Sequence, residues 1–275
     1  MQKNPKIAFI GAGNMGGAIV RGLLEKGVVN AKDLTVCLKT DSRRLAFTDM
    51  CVRVADSIPD AIEGASYIFI CVKPKDVAAV VSAVCNSDKL LESATLVSIA
   101  ASVSTSLICG YCNRDLPVIR TMPGMPLLIG EGTVAISRNQ FVTDRAFQFV
   151  CRLFSSIALV SVIDEVNMNP IISVNGSSPA YVFYMIKAML DGAEEQGIDS
   201  KHALPLILQT VIGSAKMLEN SDLSIEENIS RICSPKGTTL EAMKVLEESD
   251  FHDAIKRAMS ACTRRADEIT EELQT

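Results

Sequence analysis

The sequence has little histidine, no excess of basic residues and no long apolar run. Its 275 residues include two histidines, and the formal net charge is -5 at pH 7. Proteins that bind nucleic acids along the phosphate backbone carry an excess of lysine and arginine, so we expect no nucleic-acid partner. No stretch approaches the roughly 20 consecutive apolar residues of a membrane-spanning helix, so we expect no membrane partner.

Cysteine is more abundant, but its nine copies form no ligand pattern. Their odd number and their scatter through apolar segments indicate buried thiols in a reducing compartment, without a disulfide framework. Cys109 and Cys112 have the spacing of a redox or zinc half-site; no second pair or histidine set accompanies them, so we interpret the spacing as a coincidence and predict no metal site. Residues 7–11 form an apolar run too short for a signal peptide, so we expect a cytoplasmic protein.

The first half of the chain has the pattern of an α/β domain. Short β-rich apolar runs alternate with helical stretches, which predicts a doubly wound parallel sheet of the Rossmann type. The expected strands cover residues 7–10, 34–38, 67–72, 96–99, 117–120, 132–136 and 158–162. The helices between them are expected to begin near Asn14, Arg43, Lys75 and Thr105.

The second half has the pattern of an all-α domain. Asn169 and Pro170 resemble a cap and a first-turn proline, and helices are expected over residues 180–196, 205–218, 239–248 and 251–272. So small a region does not bury these apolar helices alone, which indicates burial against a second subunit. We predict a dinucleotide-binding domain over residues 1–163 and a helical dimerisation and substrate domain over residues 164–275, in a homodimer or a higher homo-oligomer.

A glycine-rich turn follows the first expected strand. Gly11, Gly13 and Gly16 form the GxGxxG pattern at the start of a helix. The first glycine permits the tight turn, the second lets the backbone approach a pyrophosphate, and the third allows close packing of helix on strand. A strand-to-helix turn without a ligand is the alternative. The cofactor-binding residues predicted here are Ile10, Gly11, Ala12, Gly13, Asn14, Met15 and Gly16.

The end of the second expected strand favours NADPH over NADH. A site for NADH would place an acidic residue there to bind the ribose 2'-hydroxyl, but Leu38 and Lys39 stand at this position. The following residues supply cations and hydroxyls suited to a 2'-phosphate, and those we assign to the cofactor are Lys39, Thr40, Ser42 and Arg43. Asp41 keeps NADH as an alternative, and solvated charges at a helix start are the structural alternative.

The glycine turn belongs to a longer set of motifs. IGAGNMGGAI is followed in order by VKP at 72–74, SIAASVS at 98–104, VIRTMPGMP at 118–126, GEGT at 130–133, NGSSPAY at 175–181 and SPKGTT at 234–239. With these motifs the chain resembles the pyrroline-5-carboxylate reductase family over essentially its whole length. The resemblance implies an NAD(P)H-dependent enzyme of proline biosynthesis, which reduces 1-pyrroline-5-carboxylate to L-proline.

The resemblance also implies roles for particular residues. The cofactor would be lined by Cys71, Val72, Lys73, Pro74, Ala100 and Ala101. The substrate carboxylate would bind the turn around Ser234 through the backbone of Gly237 and Thr238, the Thr239 hydroxyl would reach the ring nitrogen as the catalytic group, and Glu165 would contact the substrate. Without the resemblance, residues 234–239 would equally be a helix-capping turn, and Glu165 would be interpreted as a surface charge.

Several positions depart from the family's motifs. MPNTP becomes MPGMP, which introduces Gly124 and Met125, and SGSGPAY becomes NGSSPAY, which introduces Asn175 and Ser178. SPGGTT becomes SPKGTT, and Arg231 stands where some members have a substrate-contacting asparagine. These changes concern the substrate pocket more than the fold, and they keep open a paralogue that binds NADP but has altered or lost substrate use.

The expected chemistry needs no imidazole acid. A protonated cyclic imine is already electrophilic, so the protein has mainly to align it with the cofactor and hold its carboxylate. His202 and His252 are expected at the surface. A β-hydroxyacid dehydrogenase is the alternative class, with Lys187 as its acid, because that class also joins a Rossmann domain to helices.

Overall fold

The computed structural model describes residues 5–39 and 43–274. Eight strands and eleven α-helices lie within these ranges. In chain order they are β1 (Ile7–Ile10), α1 (Asn14–Glu25), β2 (Leu34–Cys37), α2 (Arg44–Asp49), β3 (Arg53–Ala55), α3 (Ile58–Ile62), β4 (Tyr67–Ile70), α4 (Pro74–Cys85), β5 (Thr95–Ser98), α5 (Thr105–Cys112), β6 (Val118–Pro123), β7 (Gly132–Arg138), α6 (Asp144–Ser155), β8 (Ala158–Val162), α7 (Ser178–Glu195), α8 (Ser200–Glu219), α9 (Ile225–Ile232), α10 (Thr238–Glu248) and α11 (Phe251–Glu272).

The strands form one sheet in the order β3-β2-β1-β4-β5-β6-β7-β8. Neighbours are parallel from β3 to β6, β7 is antiparallel to β6, and β8 is parallel to β7. The chain runs outward from β1 in one direction through β2 and β3, and in the other from β4, so the strand order reverses between β1 and β4. The predicted Rossmann-type sheet is confirmed, and a crevice is expected beyond the carboxyl ends of these two strands.

Both faces of the sheet are buried, which explains the continuous apolar runs of its central strands. On one face, Phe9 of β1 stacks on Phe69 of β4 with ring centroids 4.5 Å apart, and Leu23 of α1 packs in the same cluster. On the other face, Ile10 packs in a cluster with Val81 of α4. The two clusters hold the carboxyl ends of β1 and β4 in fixed positions.

Four elements were not predicted. The strand β3 and the helix α3 have only three and five residues, too few to show a periodic pattern. The helix α6 is strongly amphipathic, so the spacing of its apolar residues could have predicted it. The helix α9 begins with a capping box formed by Ser224 and Glu227, a pattern that is visible in the sequence. The strand β6 continues to Pro123 and β7 to Arg138, beyond their predicted ends.

The contacts divide the chain into two compact units. The first comprises Met1–Ser177 with Ala261–Thr275, and the second comprises Ser178–Ser260. The division therefore falls later than the domain boundary expected after residue 163. The segment that follows β8 belongs with the sheet because Met168 and Ile172 are buried there.

The second unit contains helices with large exposed apolar faces. From Ser178 to Ser260 every residue is described, and only Ala203 and Ile207 are buried. Phe183 and Tyr184 are exposed by 69% and 77% in the single chain. None of the helices described combines the length and hydropathy needed to cross a membrane. These faces are as expected of helices that bury their apolar residues against another subunit.

One disulfide joins the ends of two helices. Cys85 at the end of α4 is bonded to Cys112 at the end of α5, with Cα atoms 5.6 Å apart. The expectation of no disulfide was therefore wrong, because the sequence does not reveal that these two helix ends meet. Cys109 is free, and its Sγ lies 3.7 Å from the Leu116 carbonyl oxygen, so the CxxC spacing is not itself a pair.

The disulfide joins two cysteines that are 27 residues apart. We expect Cys85→Ser to lower the free energy of unfolding by roughly 3 to 4 kcal/mol, because the bond closes a loop of that length in the unfolded chain and so reduces its entropy. Chemical denaturation without reductant measures the change, and Cys109→Ser, which removes a free thiol, is the matched control. Equal stability of the two variants would contradict the bond, and reductant should abolish the difference between wild type and Cys85→Ser.

Candidate functional site

A cavity of about 870 Å³ lies at the carboxyl ends of β1 and β4. Six segments form its wall: the glycine turn, the segment from the end of β2 to the start of α2, the segments that follow β4 and β5, the end of β6 with the residues after it, and the segment before α7. Its lining residues are Gly11, Ala12, Gly13, Asn14, Met15, Leu38, Lys39, Arg43, Cys71, Val72, Lys73, Pro74, Asp76, Ile99, Ala100, Ala101, Met122, Pro123, Met125 and Gly176. Most of the predicted cofactor residues are therefore brought together. Ile10 is buried in β1, and Gly16 packs beneath the turn.

The glycine turn passes too close to the end of β4 for side chains. Gly11 has a φ of +85°, and a Cβ atom there would lie 2.4 Å from Cγ1 of Val72. A Cβ atom on Gly16 would lie 2.9 Å from Cβ of Cys71. The first glycine is therefore required by its backbone conformation and by close approach, and the third by packing, as the GxGxxG pattern predicts.

The N-terminus of α1 provides donors for an anion. Gly13 is the N-cap and offers no side-chain acceptor, and the first turn of the helix contains no acidic residue. Within the described residues, the first turn of α1 therefore places no acidic side chain of its own against these N–H groups or the positive end of the helix dipole. The residues fit a dinucleotide pyrophosphate, which the Rossmann turn binds in this position.

Two predicted cations lie where the adenosine ribose of such a cofactor is expected. Arg43 donates a hydrogen bond of 2.9 Å from Nη2 to Oδ1 of Asn14. Nζ of Lys39 is 3.7 Å from a carboxylate oxygen of Asp76, and its side chain is largely exposed. Thr40 and Ser42, also predicted to bind the cofactor, lie outside the described residues.

The wall after β4 places a partly buried thiol, that of Cys71, beside the glycine turn. Pro74 starts α4 behind Lys73, the N-cap residue, so the cavity also receives the beginning of a second helix. Burial raises the pKa of the Cys71 thiol above its ordinary value. Cys71 therefore stays protonated at neutral pH and serves as a packing surface, not as a nucleophile.

The wall formed by the end of β6, Met125 and Gly176 contains residues that were not assigned to the site. Met122, Pro123, Met125 and Gly176 line the cavity, although their motifs, VIRTMPGMP and NGSSPAY, had been recognised. The motif is the signal by which they could have been found.

Two of the departures from the family's motifs, Gly124 and Asn175, meet behind this wall. A Cβ atom on Gly124 would lie 2.8 Å from the Asn175 carbonyl oxygen. Nδ2 of Asn175 donates a hydrogen bond of 2.8 Å to the Met122 carbonyl. Oδ1 of the same side chain is buried without a partner among the described residues. Asn175 therefore holds the end of β6 with one side-chain atom, at the expense of a second, unpaired atom.

Glu165 is engaged within the first unit. Its carboxylate accepts hydrogen bonds from the backbone N–H of Thr105, at 2.6 Å, and from the Thr105 hydroxyl. Arg120, which is 4% exposed, lies 3.8 Å away. Burial lowers the pKa of Arg120, and the charge of Glu165 opposes that shift. Glu165 is thus not an isolated surface charge, because its carboxylate already has hydrogen-bond partners in the first unit. Its contact with substrate stays a prediction.

The turn before α10 lies in the second unit. Gly237 is the N-cap of α10, and a Cβ atom there would lie 2.4 Å from Oγ of Ser234, so only glycine fits. The Gly237 amide donates to the Ser234 carbonyl at 2.9 Å and is therefore not available to a substrate. Among the described residues, none accepts from the amides of Thr238 and Thr239. Of the two residues expected to hold the carboxylate through their backbone, Thr238 has a free amide and Gly237 does not, and the Thr239 amide, not part of that expectation, is also free.

Comparison with known proteins identifies the family. The chain is 35% identical over 266 residues to the pyrroline-5-carboxylate reductase of Escherichia coli K12, covering 96% of this chain and 98% of that protein. The reductase of Pseudomonas aeruginosa is 31% identical over 270 residues, with 98% of both chains covered. The chain belongs to the pyrroline-5-carboxylate reductase family. The resemblance noted from the motifs is thereby confirmed.

Family models and solved structures agree with this. Residues 165–269 match the family model described as pyrroline-5-carboxylate reductase dimerisation. Residues 6–102 match the family model described as NADP oxidoreductase, coenzyme F420-dependent. The pyrroline-5-carboxylate reductase of Coxiella burnetii is 26% identical with a TM-score of 0.89, covering 98% of this chain and 99% of that one. The Plasmodium falciparum pyrroline carboxylate reductase, solved with NADP bound, is 24% identical with a TM-score of 0.88, covering 98% of this chain and 100% of that one. This similarity shows that the two chains share a fold.

Lys187, the acid of the alternative dehydrogenase class, is paired on its own helix. Its Nζ lies 2.5 Å from the Asp191 carboxylate, one helical turn away, and this bond raises the pKa of Lys187. The side chain is 66% exposed. The geometry is that of an exposed i,i+4 pair, which agrees with membership of the reductase family.

We expect Lys236→Gly to raise the free energy of unfolding by about 0.5 to 1 kcal/mol, because Lys236 has a φ of +61°, where a Cβ atom is strained. Chemical denaturation at a fixed protein concentration measures the change. Lys244→Gly is the matched control, since the same substitution inside α10 should destabilise by about 1 kcal/mol. A loss of stability in Lys236→Gly would contradict the strain.

Proposed function

We propose that this chain reduces 1-pyrroline-5-carboxylate to L-proline with NADPH, as the last step of proline biosynthesis. The observation that carries the proposal is the glycine-turn cavity in a chain related over 96% of its length to reductases of this name. The nicotinamide, when bound, supplies a hydride to the carbon of the C=N bond. A proton completes the ring nitrogen, so one NADPH and one proton are consumed for each proline.

The residues of the first unit bind and orient the cofactor. The turn from Gly11 to Asn14 holds the pyrophosphate at the start of α1, and Lys39 and Arg43 bind the 2'-phosphate of NADPH. The segments after β4 and β5 line the nicotinamide half, where Ala100 and Ala101 present little side chain. A small wall of this kind lets a cyclic substrate approach the cofactor face closely.

The turn of the second unit binds the substrate. The free amides of Thr238 and Thr239 hold the carboxylate at the N-terminus of α10, where the helix dipole favours a negative charge. The Thr239 hydroxyl reaches the ring nitrogen, Ser234 shapes the turn, and Glu165 contacts the substrate. Because the protonated imine is already electrophilic, orientation by these groups is the protein's main contribution.

The assembly is a homodimer through the helical half. Residues 165–269 match the family's dimerisation model, and large apolar side chains of the second unit are exposed in the single chain. A higher homo-oligomer built from such dimers is compatible with this. We propose the cytoplasm as the location, because the reaction consumes a reduced dinucleotide of intermediary metabolism.

We expect Thr239→Ala to lower kcat for 1-pyrroline-5-carboxylate by roughly tenfold or more, because it removes one hydrogen bond to the reacting ring. The dissociation constant for NADPH should remain nearly unchanged. Steady-state oxidation of NADPH and a fluorescence titration measure the two quantities. Thr239→Ser keeps the hydroxyl and is the control. Equal turnover of wild type and Thr239→Ala would refute the role of Thr239. No turnover of 1-pyrroline-5-carboxylate by the wild type would refute the proposed function.

We expect Arg43→Ala to raise KM for NADPH by about tenfold or more, because a charge-assisted bond to the 2'-phosphate is lost. KM for NADH should change less than about twofold, because NADH lacks this phosphate and the substitution acts locally. The same assay with both cofactors gives the ratio. Arg44→Ala, a neighbouring cation that does not line the cavity, is the control, and an equal rise for both cofactors would contradict 2'-phosphate binding.

A further inference from the structure

The loop that follows β5 contains a strained residue beside the cavity. Ser102 has a φ of +63° and is 2% exposed, and it directly follows Ala100 and Ala101 of the cavity wall. A residue with a Cβ atom rarely adopts this backbone conformation, and it persists only where its surroundings hold it. The loop therefore depends on contacts that offset the strain.

The end of the last helix supplies such a contact. The Thr270 hydroxyl, on α11, donates to the Ser102 carbonyl at 2.8 Å. The Ala266 carbonyl on the same helix is a second acceptor at 3.0 Å. The hydroxyl has one proton, and the Ser102 carbonyl is the closer of its two acceptors.

The Thr270 hydroxyl is the last member of a directed chain of hydrogen bonds. Nη2 of Arg120 donates to Oδ1 of Asn169 at 2.6 Å, and Nδ2 of Asn169 donates to Oγ1 of Thr270 at 3.1 Å. Nδ2 of Asn169 also donates to the Asp267 carboxylate at 2.8 Å. Successive donors that all point the same way polarise one another, so the bond to Ser102 is strengthened by those behind it.

A second branch holds the other end of the loop. Glu165, 3.8 Å from Arg120, accepts the backbone N–H of Thr105, the first residue of α5. The loop from Ala100 to Thr105 is therefore held at Ser102 by Thr270 and at Thr105 by Glu165. Arg120 contacts Glu165 directly and is linked to Thr270 through Asn169. All of these residues belong to the first compact unit.

We propose that Thr270 is a positioning residue for the cofactor: its hydroxyl holds the strained Ser102, so that Ala100 and Ala101 keep the conformation that receives the nicotinamide half of NADPH. The choice of NADPH rests on the proposed function. A hydrogen bond that only stabilised the fold would change the melting temperature and leave the affinity of the folded protein for NADPH unchanged. The positioning role predicts a change in that affinity.

The test uses five variants of the full chain, one of them a control. Thr270→Val removes the hydroxyl at nearly constant shape, and Thr270→Ser retains it. Ser102→Gly relieves the strain, because glycine adopts a positive φ freely; it is made alone and with Thr270→Val. Thr48→Val is the matched control, since the Thr48 hydroxyl donates to a carbonyl of its own helix, Arg44, at 3.1 Å, away from this loop. Fluorescence titration with NADPH gives the dissociation constant, and thermal unfolding gives the stability.

We expect Thr270→Val to raise the dissociation constant for NADPH about fivefold to tenfold, the effect of one lost hydrogen bond. Thr270→Ser and Thr48→Val should bind as the wild type does. In the Ser102→Gly background the effect of Thr270→Val should shrink to about twofold or less, because the loop no longer needs to be held. Hydrogen exchange of residues 99–104 should quicken in Thr270→Val and stay unchanged in Thr48→Val.

Unchanged NADPH affinity in Thr270→Val would overturn the proposal. So would an equal change in the NADPH dissociation constant whether Thr270→Val is made in the wild type or in the Ser102→Gly variant. Neither outcome depends on turnover. A wild-type protein that binds NADPH but does not reduce 1-pyrroline-5-carboxylate would refute the proposed function and leave the positioning role standing, so the two failures are distinguishable.

Discussion

The structure depends on the close approach between the glycine turn and the end of β4. A single added carbon at Gly11 would collide with Val72, and one at Gly16 would collide with Cys71. The approach sets the position of α1 on the sheet and therefore the direction in which its first N–H groups point. Because the apolar clusters hold β1 and β4 from both faces, the turn has little freedom to relax away from such a collision.

The parallel register carries this constraint to the rest of the cavity. Ile10 is paired with Cys37 on one side and with Ile70 on the other, so three strands end at the same level. Segments distant in sequence are thereby gathered at one edge of the sheet. The cavity wall follows from the topology, whereas its chemistry comes from the residues immediately after each strand.

The sequence predicted the features that have a local pattern. The glycine turn, the central strands and the long helices were predicted because their periodicity and their turn residues are contiguous. The disulfide between Cys85 and Cys112 was not, because it depends on two helix ends meeting. The engagement of Glu165 with Thr105 was missed for the same reason, since 60 residues separate the partners. The strand β3, at the edge of the sheet, is too short to display an alternation.

Two of the departures from the family's motifs are neighbours in the structure. Gly124 stands where the family has an asparagine, and no side chain fits there because the Asn175 carbonyl oxygen occupies the space. The Asn175 side chain lies behind the cavity wall, and its Nδ2 donates a hydrogen bond to the carbonyl oxygen of Met122, which lines the cavity. The two departures therefore lie side by side behind the residues that line the cavity, and the Asn175 side chain supports the end of β6. Lys236 differs in kind, because it lies in the second unit and places a strained backbone, not a contact, in the turn before α10.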